Sequence, residues 1–551
     1  MYLLLPPFAF FRAGDGGSAH VVQPRTRPRA ANRLTAGGGR TAWDRFAHLD
    51  PETTTHLPAA SLAVSWLQAL ALAVYVLAQA LIVLYSSHRY VILWRWWRAR
   101  RRPRQAPPAP AVWPKVAVQL PVYNERRVIE RLIDAVAALD YPAERLDIQL
   151  LDDSTDETTR IAAAAVVRHR ARGVPIRLLH RDDRSGFKAG ALEAGLAATD
   201  AELVAVFDAD FVPAPDFLRR MVPHFGDPRV GMVQARWGHL NRGHSTLTAA
   251  QAVMLDSHFL LEHVTRMDGG LFFNFNGTAG VWRRHCIETA GGWSHDTLTE
   301  DLDLSYRAQM AGWTFVFDPG VESPAELPTD IEALKLQQRR WTKGSIQTAR
   351  KVLPSLWRGR WPLRVKIEAL FHLTSNFTYP LLLALALVLM PVLLGASTAE
   401  PWLVWTLQIG VLLLGVVPVS IFLAVAQREA GRPARAILRD VGSALVIGVG
   451  MSVNNARAVL EGLGPAVGQW ERTPKTGSRR ANAPAPYAAA TRLAGRTELA
   501  LAGYFAVLAA FALAAGEYRA VPFIVLLLAG FAGVGWGSLR ASLRGAGARA
   551  R

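Results

Sequence analysis

The chain has 551 residues, 51% of them apolar and only 19% charged, with a formal net charge of +18 and a mean hydropathy of +0.14. It is long enough for several domains or for one domain with membrane segments, and its apolar residues gather into blocks around a carboxylate-rich middle, the profile of a membrane enzyme rather than a soluble core. The positive charge lies beside those blocks, where the positive-inside rule and anionic head groups select it, which argues against nucleic acid as a partner; the single cysteine, Cys286, excludes an intrachain disulfide and a thiolate zinc site.

Residues 1–58 are rich in Gly, Arg and Pro without periodicity and read as a disordered N-terminal segment. Residues 59–87 carry no charge and are long enough, at about 1.5 Å per residue, to cross a hydrocarbon core of about 30 Å. They predict the first transmembrane helix. The basic linker 88–112, with "RWWRARRRPR" (Arg95 to Arg104), puts its C-terminal end in the cytoplasm.

Over 113–327 the pattern changes to short β-rich runs alternating with helical ones. "KVAVQLPVYNE", "LDIQLLDDSTD", "IRLLHRDD" and "AELVAVFDAD" each end in a polar loop, and helices are expected at Arg127 to Leu139 and Thr158 to Arg172. Such alternation predicts a doubly wound α/β domain with a mostly parallel sheet, whose site lies at the carboxyl ends of the strands. The acidic clusters fall at those ends.

Residues 328–370 read as interfacial helices, and the apolar blocks return in 371–426 as transmembrane helices 2 and 3. The block 441–463 is read as an interfacial helix, because counting it as a span would place the basic "RTPKTGSRR" outside. Residues 498–539 supply helices 4 and 5, and 540–551 form a basic cytoplasmic tail. The arrangement predicts a multi-pass protein of the inner membrane with its soluble domain cytoplasmic.

Of the acidic clusters, Asp152-Asp153-Ser154-Thr155-Asp156 holds more carboxylates than a helix N-cap requires, so a ribose or base is the expected partner. In "GFKAG", Lys188 between Gly186 and Gly190 offers a point charge and close backbone approach to phosphate, at a spacing unlike a Walker A loop. Asp208-Ala209-Asp210 alternates two carboxylates onto one side of an extended segment, and hard oxygen ligands of this kind suit Mg²⁺ or Mn²⁺ completed by substrate phosphates. Glu300, Asp301 and Asp303 open an amphipathic helix, where acids ordinarily complement the helix dipole; near a dry sugar site one of them can act as a general base. Gln337, Arg340 and Trp341 share one helix between the soluble domain and the membrane, a depth that Trp and Arg also favour as anchors.

This ordered set, Asp152-Asp153, Asp208-x-Asp210, Thr299-Glu300-Asp301 and Gln337-x-x-Arg340-Trp341, resembles the signature of processive family 2 glycosyltransferases, the group of cellulose, mannan, chitin and hyaluronan synthases. "GFKAGAL", "VQARWGHLN", "FNFNGTAGVWRR" and "QQRRW" resemble the cellulose-synthase-like A and C enzymes more closely, the A group being glucomannan mannosyltransferases, over about Pro114 to Gly477. The resemblance implies a GT-A domain inserted between transmembrane helices, with Asp152, Asp153 and Lys188 at the nucleoside and Asp208 and Asp210 at the diphosphate and metal. It makes Asp301 the base, with Glu300 beside it, puts Gln337 and Arg340 at the pyrophosphate or acceptor, and places Trp341, Gly277 and Thr278 at the acceptor sugar. It also implies a gating loop at 468–480, where "WERTPKTG" offers Thr473 and Lys475 but has Arg472 for the expected Val and a glycine displaced by one place.

The implied partners are a nucleotide sugar (UDP-glucose or GDP-mannose), a growing polysaccharide, the lipid bilayer and accessory export proteins. The implied activity is polymerisation of a β-linked glucan or mannan by an inverting glycosyltransferase that translocates its product. Two other readings stand beside it: a lipid glycosyltransferase that adds one sugar, similar to ceramide glucosyltransferases, and a transporter or scaffold with an inert cytoplasmic domain.

Overall fold

A computed structural model describes residues 58–102, 106–395, 409–465, 468, 473, 475, 477 and 495–549. The reading of the N-terminal segment falls, over 1–57, outside these residues, as do residues 396–408, Arg472 and most of 469–494. The chain falls into two units, Met1–Leu72, of which only the start of one helix is described, and Ala73–Arg551, which contains the domain and the site.

The domain is built on seven strands: β1 Val116–Val122, β2 Leu146–Asp152, β3 Ile176–His180, β4 Leu203–Val206, β5 Val230–His239, β6 Gly280–Arg283 and β7 Thr314–Ala325. Their spatial order is β3-β2-β1-β4-β6-β5-β7. The pairs β1–β2, β2–β3, β1–β4 and β5–β7 are parallel, whereas β6 runs antiparallel to both β4 and β5. This mixed, mostly parallel sheet is the α/β GT-A arrangement expected.

Burial on both faces explains why the central strands read as continuous apolar runs. On one face Val118, Leu120 and Ile148 pack with Ile129, Leu132, Ile133 and Val136 of the helix Ile129–Ala137 and with Ala162 and Ala165 of the helix Thr158–Arg170. On the other, Leu151, Val204 and Val206 meet Ala191, Leu192 and Leu196 of the helix Phe187–Ala197. Emptying one such site, as in Leu132→Ala, costs about 2–5 kcal/mol. Two glutamines cross this otherwise apolar layer: Gln119 Nε2 donates to Gln149 Oε1 at 3.2 Å, and a Cβ on Gly195 would stand 2.6 Å from that nitrogen. Only glycine lets the helix lie that close.

Among the described residues, five helices are long and apolar enough to cross a membrane: Trp66–Ala99, Leu363–Val392, Ile409–Glu429, Arg496–Ala514 and Val521–Leu543. The first continues without a break into the basic segment read as a linker and ends at Ala99. The second begins eight residues before the expected 371, inside the stretch read as interfacial; the helix Ile331–Arg358 fills the rest of that stretch. Residues 441–463 are not one helix. Ala434–Gly450 and Ser452–Leu463 meet at a bend of 52°.

Candidate active site

The sheet brings the acidic clusters to one edge, the carboxyl ends of β1, β2 and β4. Successive residues of a strand face opposite ways, and at the end of β2 this separates Asp152 from Asp153. Asp152 is wholly buried; it accepts from the Ser154 N–H (3.1 Å) and the Thr159 hydroxyl (2.7 Å) and faces His180 Nδ1 (2.9 Å). These contacts close the turn after β2, and Asp153 rather than Asp152 lines the neighbouring cavity. Asp156 likewise accepts from the Thr158 N–H (2.9 Å). Asp153 lines a cavity of about 610 Å³ with Tyr123, Arg184, Lys188, Asp208, Asp210 and Arg340. Arg181 holds it by two parallel bonds of 2.8 and 2.6 Å, and Arg184 lies over the Tyr123 ring at 3.4 Å.

Lys188 enters the site because the chain turns through left-handed conformations at Gly186 (φ 72°) and Phe187 (φ 51°). A Cβ on Gly190 would stand 2.2 Å from the Ser185 carbonyl, so the small residues of "GFKAG" make this turn possible. The Lys188 ammonium donates to Asp208 Oδ1 (2.6 Å) and the Gly277 carbonyl (2.8 Å) and lies 3.9 Å from Glu300. Burial works against this charge, but Asp208 and Glu300 more than offset it and hold its pKa above the ordinary value.

Strand β4 ends at Val206, and Ala209 and Asp210 lie in a turn. The turn, rather than the extended alternation expected, brings both carboxylates to the same cavities. The Asp208 N–H donates to Thr278 Oγ1 (2.9 Å). Thr278, expected at the acceptor, is completely buried here and supports the Asp208 backbone from behind. Asp210 is buried and pairs with Lys475.

A second cavity, about 770 Å³, shares Lys188, Asp208, Asp210, Arg340 and Lys475 with the first and adds Trp237, Gly277, Glu300, Asp301, Gln337 and Trp341. The helix Glu300–Met310 delivers Asp301 to it, against Gly277 (φ 81°), where a Cβ would stand 2.8 Å from Asp301 Oδ2. Burial, then the adjacent Glu300, push the Asp301 carboxyl up to about 7, against the pull of Lys188. Asp303 takes a different part: fully buried, it bonds Arg307 (2.8 Å) and lies 3.0 Å from Lys351. Arg340 is drawn below its ordinary value by burial, opposed by Asp208, Glu300, Asp301 and Asp210. Trp341 lies beside Trp237, ring centres 6.3 Å apart.

Several residues escaped the sequence reading. Arg181 lies in the quoted "IRLLHRDD", and Trp237 in "VQARWGHLN"; neither type in a loop or strand is a signal by itself. Glu326 is buried, bonded by Arg131 (2.8 Å), and accepts from the Gly477 N–H (3.1 Å). Gly477 (φ 62°) would place a Cβ 2.6 Å from the Arg127 carbonyl, so the displaced glycine stands where a left-handed residue without a side chain is required. With Thr473 buried and Lys475 on Asp210, the described residues of this segment dock on the site.

Among the described residues no three His, Cys, Asp or Glu side chains form a metal cluster. Asp208 and Asp210 offer two hard carboxylates in shared cavities that already hold cationic side chains, which fits Mg²⁺ or Mn²⁺ with phosphate oxygens as the other ligands.

Residues 114–344 match the model described as "Glycosyltransferase like family 2". The chain is 40% identical over 272 residues to the probable glucomannan 4-beta-mannosyltransferase 10 of Arabidopsis thaliana, covering 48% of this chain and 49% of that one. It is 42% identical over 253 residues to glucomannan 4-beta-mannosyltransferase 2 of the same plant, covering 45% and 47%. The chain thus spans about half the length of the curated relatives it matches. Among solved structures, a mannosyltransferase of Pyrobaculum calidifontis in complex with GDP-Man and Mn²⁺ aligns with 72% of this chain and 99% of its own, at 22% identity and a TM-score of 0.49.

Proposed function

We propose that the protein is a membrane-embedded inverting glycosyltransferase that extends a β-linked polysaccharide from a nucleotide-diphosphate sugar. The names of the relatives favour a mannosyl group as the unit transferred, with GDP-mannose taken as its donor, and a β-mannan as product. One observation carries the reading: a phosphate-compatible cavity with Asp208, Asp210, Lys188 and Arg340 abuts a second one in which a carboxyl raised toward neutrality, Asp301, stands near Trp341. The second cavity in turn shares Trp237, Asp301, Gln337 and Trp341 with a space of about 2380 Å³. That space is lined by Ile82, Phe371, Leu382 and Phe422 of helices long enough to span.

In this reading the acceptor hydroxyl oxygen attacks the anomeric carbon, its proton passes to the Asp301 carboxylate, and the bond to the diphosphate breaks. Lys188 and Arg340 place positive charge where the leaving group gains negative charge. Asp208 and Asp210 would hold Mg²⁺ or Mn²⁺, which acts as a Lewis acid on the diphosphate when bound. Trp341 offers an apolar face to the terminal sugar while Trp237 supports it from the side.

The membrane arrangement belongs to the same proposal. Gln427, at the end of the helix Ile409–Glu429, donates to Asp256 of the domain (2.9 Å), and Lys475 reaches Asp210. Both flanks of the bent pair 434–463 therefore lie on the domain side. Such a pair enters and returns or lies along the interface, and the positive-inside rule makes that side cytoplasmic. The test is product analysis with purified protein and radiolabelled GDP-mannose or UDP-glucose. Long chains digested by a matching endoglycanase are expected, and a product consisting only of a lipid with one sugar overturns the reading.

A further inference from the structure

Below the Gly277 loop, His258 and His263 take part in an arrangement that fixes where every proton sits. The segment His258–His263 is a π-turn, and this wider turn sets residues five apart on one side of the helix, their ring centres 4.3 Å apart. Between them lies the Asn276 side chain. His263 Nε2 is 3.1 Å from the Asn274 carbonyl and 2.8 Å from Asn276 Oδ1. A carbonyl can only accept, so this nitrogen carries the proton, and burial keeps the ring neutral. Asn276 Oδ1 is thereby the acceptor, and its amide nitrogen faces His258 Nε2 at 2.9 Å. An amide nitrogen can only donate. His258 Nε2 is therefore bare, and the proton of its ring is on Nδ1, 3.1 Å from Glu262 Oε2.

The pair bears on the active site through a short stretch of backbone. The Asn276 N–H donates to Gln234 Oε1 (2.9 Å), and Gln234 Nε2 donates to the carbonyls of Thr278 (3.1 Å) and Ala279 (3.0 Å). Between these anchors, the Gly277 carbonyl receives Lys188 and Thr278 Oγ1 receives the Asp208 N–H.

We infer that His258 and Asn276 are a positioning pair that holds the 276–278 platform under Lys188 and Asp208 only while His258 is neutral, so that its protonation turns off transfer at acidic pH. A second proton on His258 sets an N–H against the amide N–H₂ of Asn276, and reversing that amide sets its N–H₂ against the His263 N–H instead. Either way one buried bond is replaced by two opposed donors, and the platform must move. The titratable and charged groups around His258 are Glu262, itself paired with Arg89 and Arg266, together with Arg266, His263 and His372. The consequence for turnover rests on the glycosyltransferase reading; the tautomer does not.

Two measurements on the full-length protein in nanodiscs therefore separate the two. The ¹⁵N-histidine difference spectrum between wild type and His258→Gln at mildly alkaline pH is expected to show one ring with Nδ1 protonated and Nε2 bare; a ring with Nε2 protonated overturns the inference. The pH profile of transfer from GDP-mannose is expected to fall on the acid side with a logarithmic slope of about two in wild type, one proton from Asp301 and one from His258. His258→Gln keeps an acceptor for Asn276 without a titrating group, and Asn276→Asp accepts from both imidazoles even when His258 is charged. Each is expected to reduce the slope to about one. A wild-type slope of about one, or a slope of two that persists in a folded variant, overturns the inference. Absence of transfer by wild type at every pH, from GDP-mannose and from UDP-glucose, counts against the glycosyltransferase reading, and the spectrum still decides the tautomer.

Discussion

Replacing Asp301 by asparagine is expected to make the protein more stable and less active at once. Burial and the adjacent Glu300 push the folded carboxyl up to about 7 from an ordinary value of 3.8, which corresponds to at most about 4 kcal/mol. Partial solvation from the cavity makes that an upper bound. The folded pKa lies above the unfolded one, so between these values the unfolded chain releases a proton that the folded chain keeps. Stability therefore falls as pH rises from about 3.8 to about 7 and is flat beyond. Asp301→Asn removes this penalty, so denaturation in detergent should show the variant more stable than wild type at pH well above 7 and equal to it near pH 3. Turnover should fall by about 10² to 10⁴ while donor binding persists, because the amide keeps the shape and cannot take the proton. Wild-type kcat/KM should rise with pH through about 7, where the base becomes ionised. Near-normal turnover returns Glu300 and Asp301 to their role as helix-dipole partners, and a stability gain independent of pH refutes the desolvation argument.

Removing metal with EDTA should abolish transfer, and Asp210→Ala should weaken Mn²⁺ binding read by electron paramagnetic resonance; full activity in EDTA sinks the metal assignment. Trp341→Ala should cut polymer synthesis sharply and shorten the product, since the stacking face for the terminal sugar is lost while donor binding is kept; unchanged product length argues against it. Cysteines placed by Lys475→Cys and Arg101→Cys should react with an impermeant maleimide only from the cytoplasmic side, with the buried native Cys286 giving no background; labelling at 475 from the opposite side would show that the 434–463 pair crosses.

Much of the fold was legible because the residues that make the sheet also make the pattern. A strand buried on both faces must be apolar throughout, as Leu203 to Phe207 is, and the acids that follow it stand where such sheets place their ligands. What the pattern left out is which way a side chain points once the strand has ended. Asp152 and Asp153 are the same residue type at adjacent positions, yet one closes its own turn and the other faces the cavity; strand alternation requires that they part, and only the packed structure says which goes where. Thr278 shows the same limit, since a hydroxyl beside a glycine in a loop reads equally as a ligand or as a support for Asp208.

Contacts between distant segments were illegible for a different reason. Lys475 meets Asp210 across 265 residues, and Gly477 meets Glu326 across 151. Neither partner carries a periodicity that marks the other. The motif in that segment departs from the expected one by a shifted glycine, and the shift has a physical cause: position 477 is left-handed and packs on the Arg127 carbonyl, so the glycine stands where the backbone needs it rather than where the spacing implied by the resemblance puts it. The same reasoning applies to His258, whose helical spacing from His263 would put the two rings apart in an α-helix. The π-turn brings them to one side, and with them the proton arrangement that ties the Gly277 loop to the state of a single imidazole.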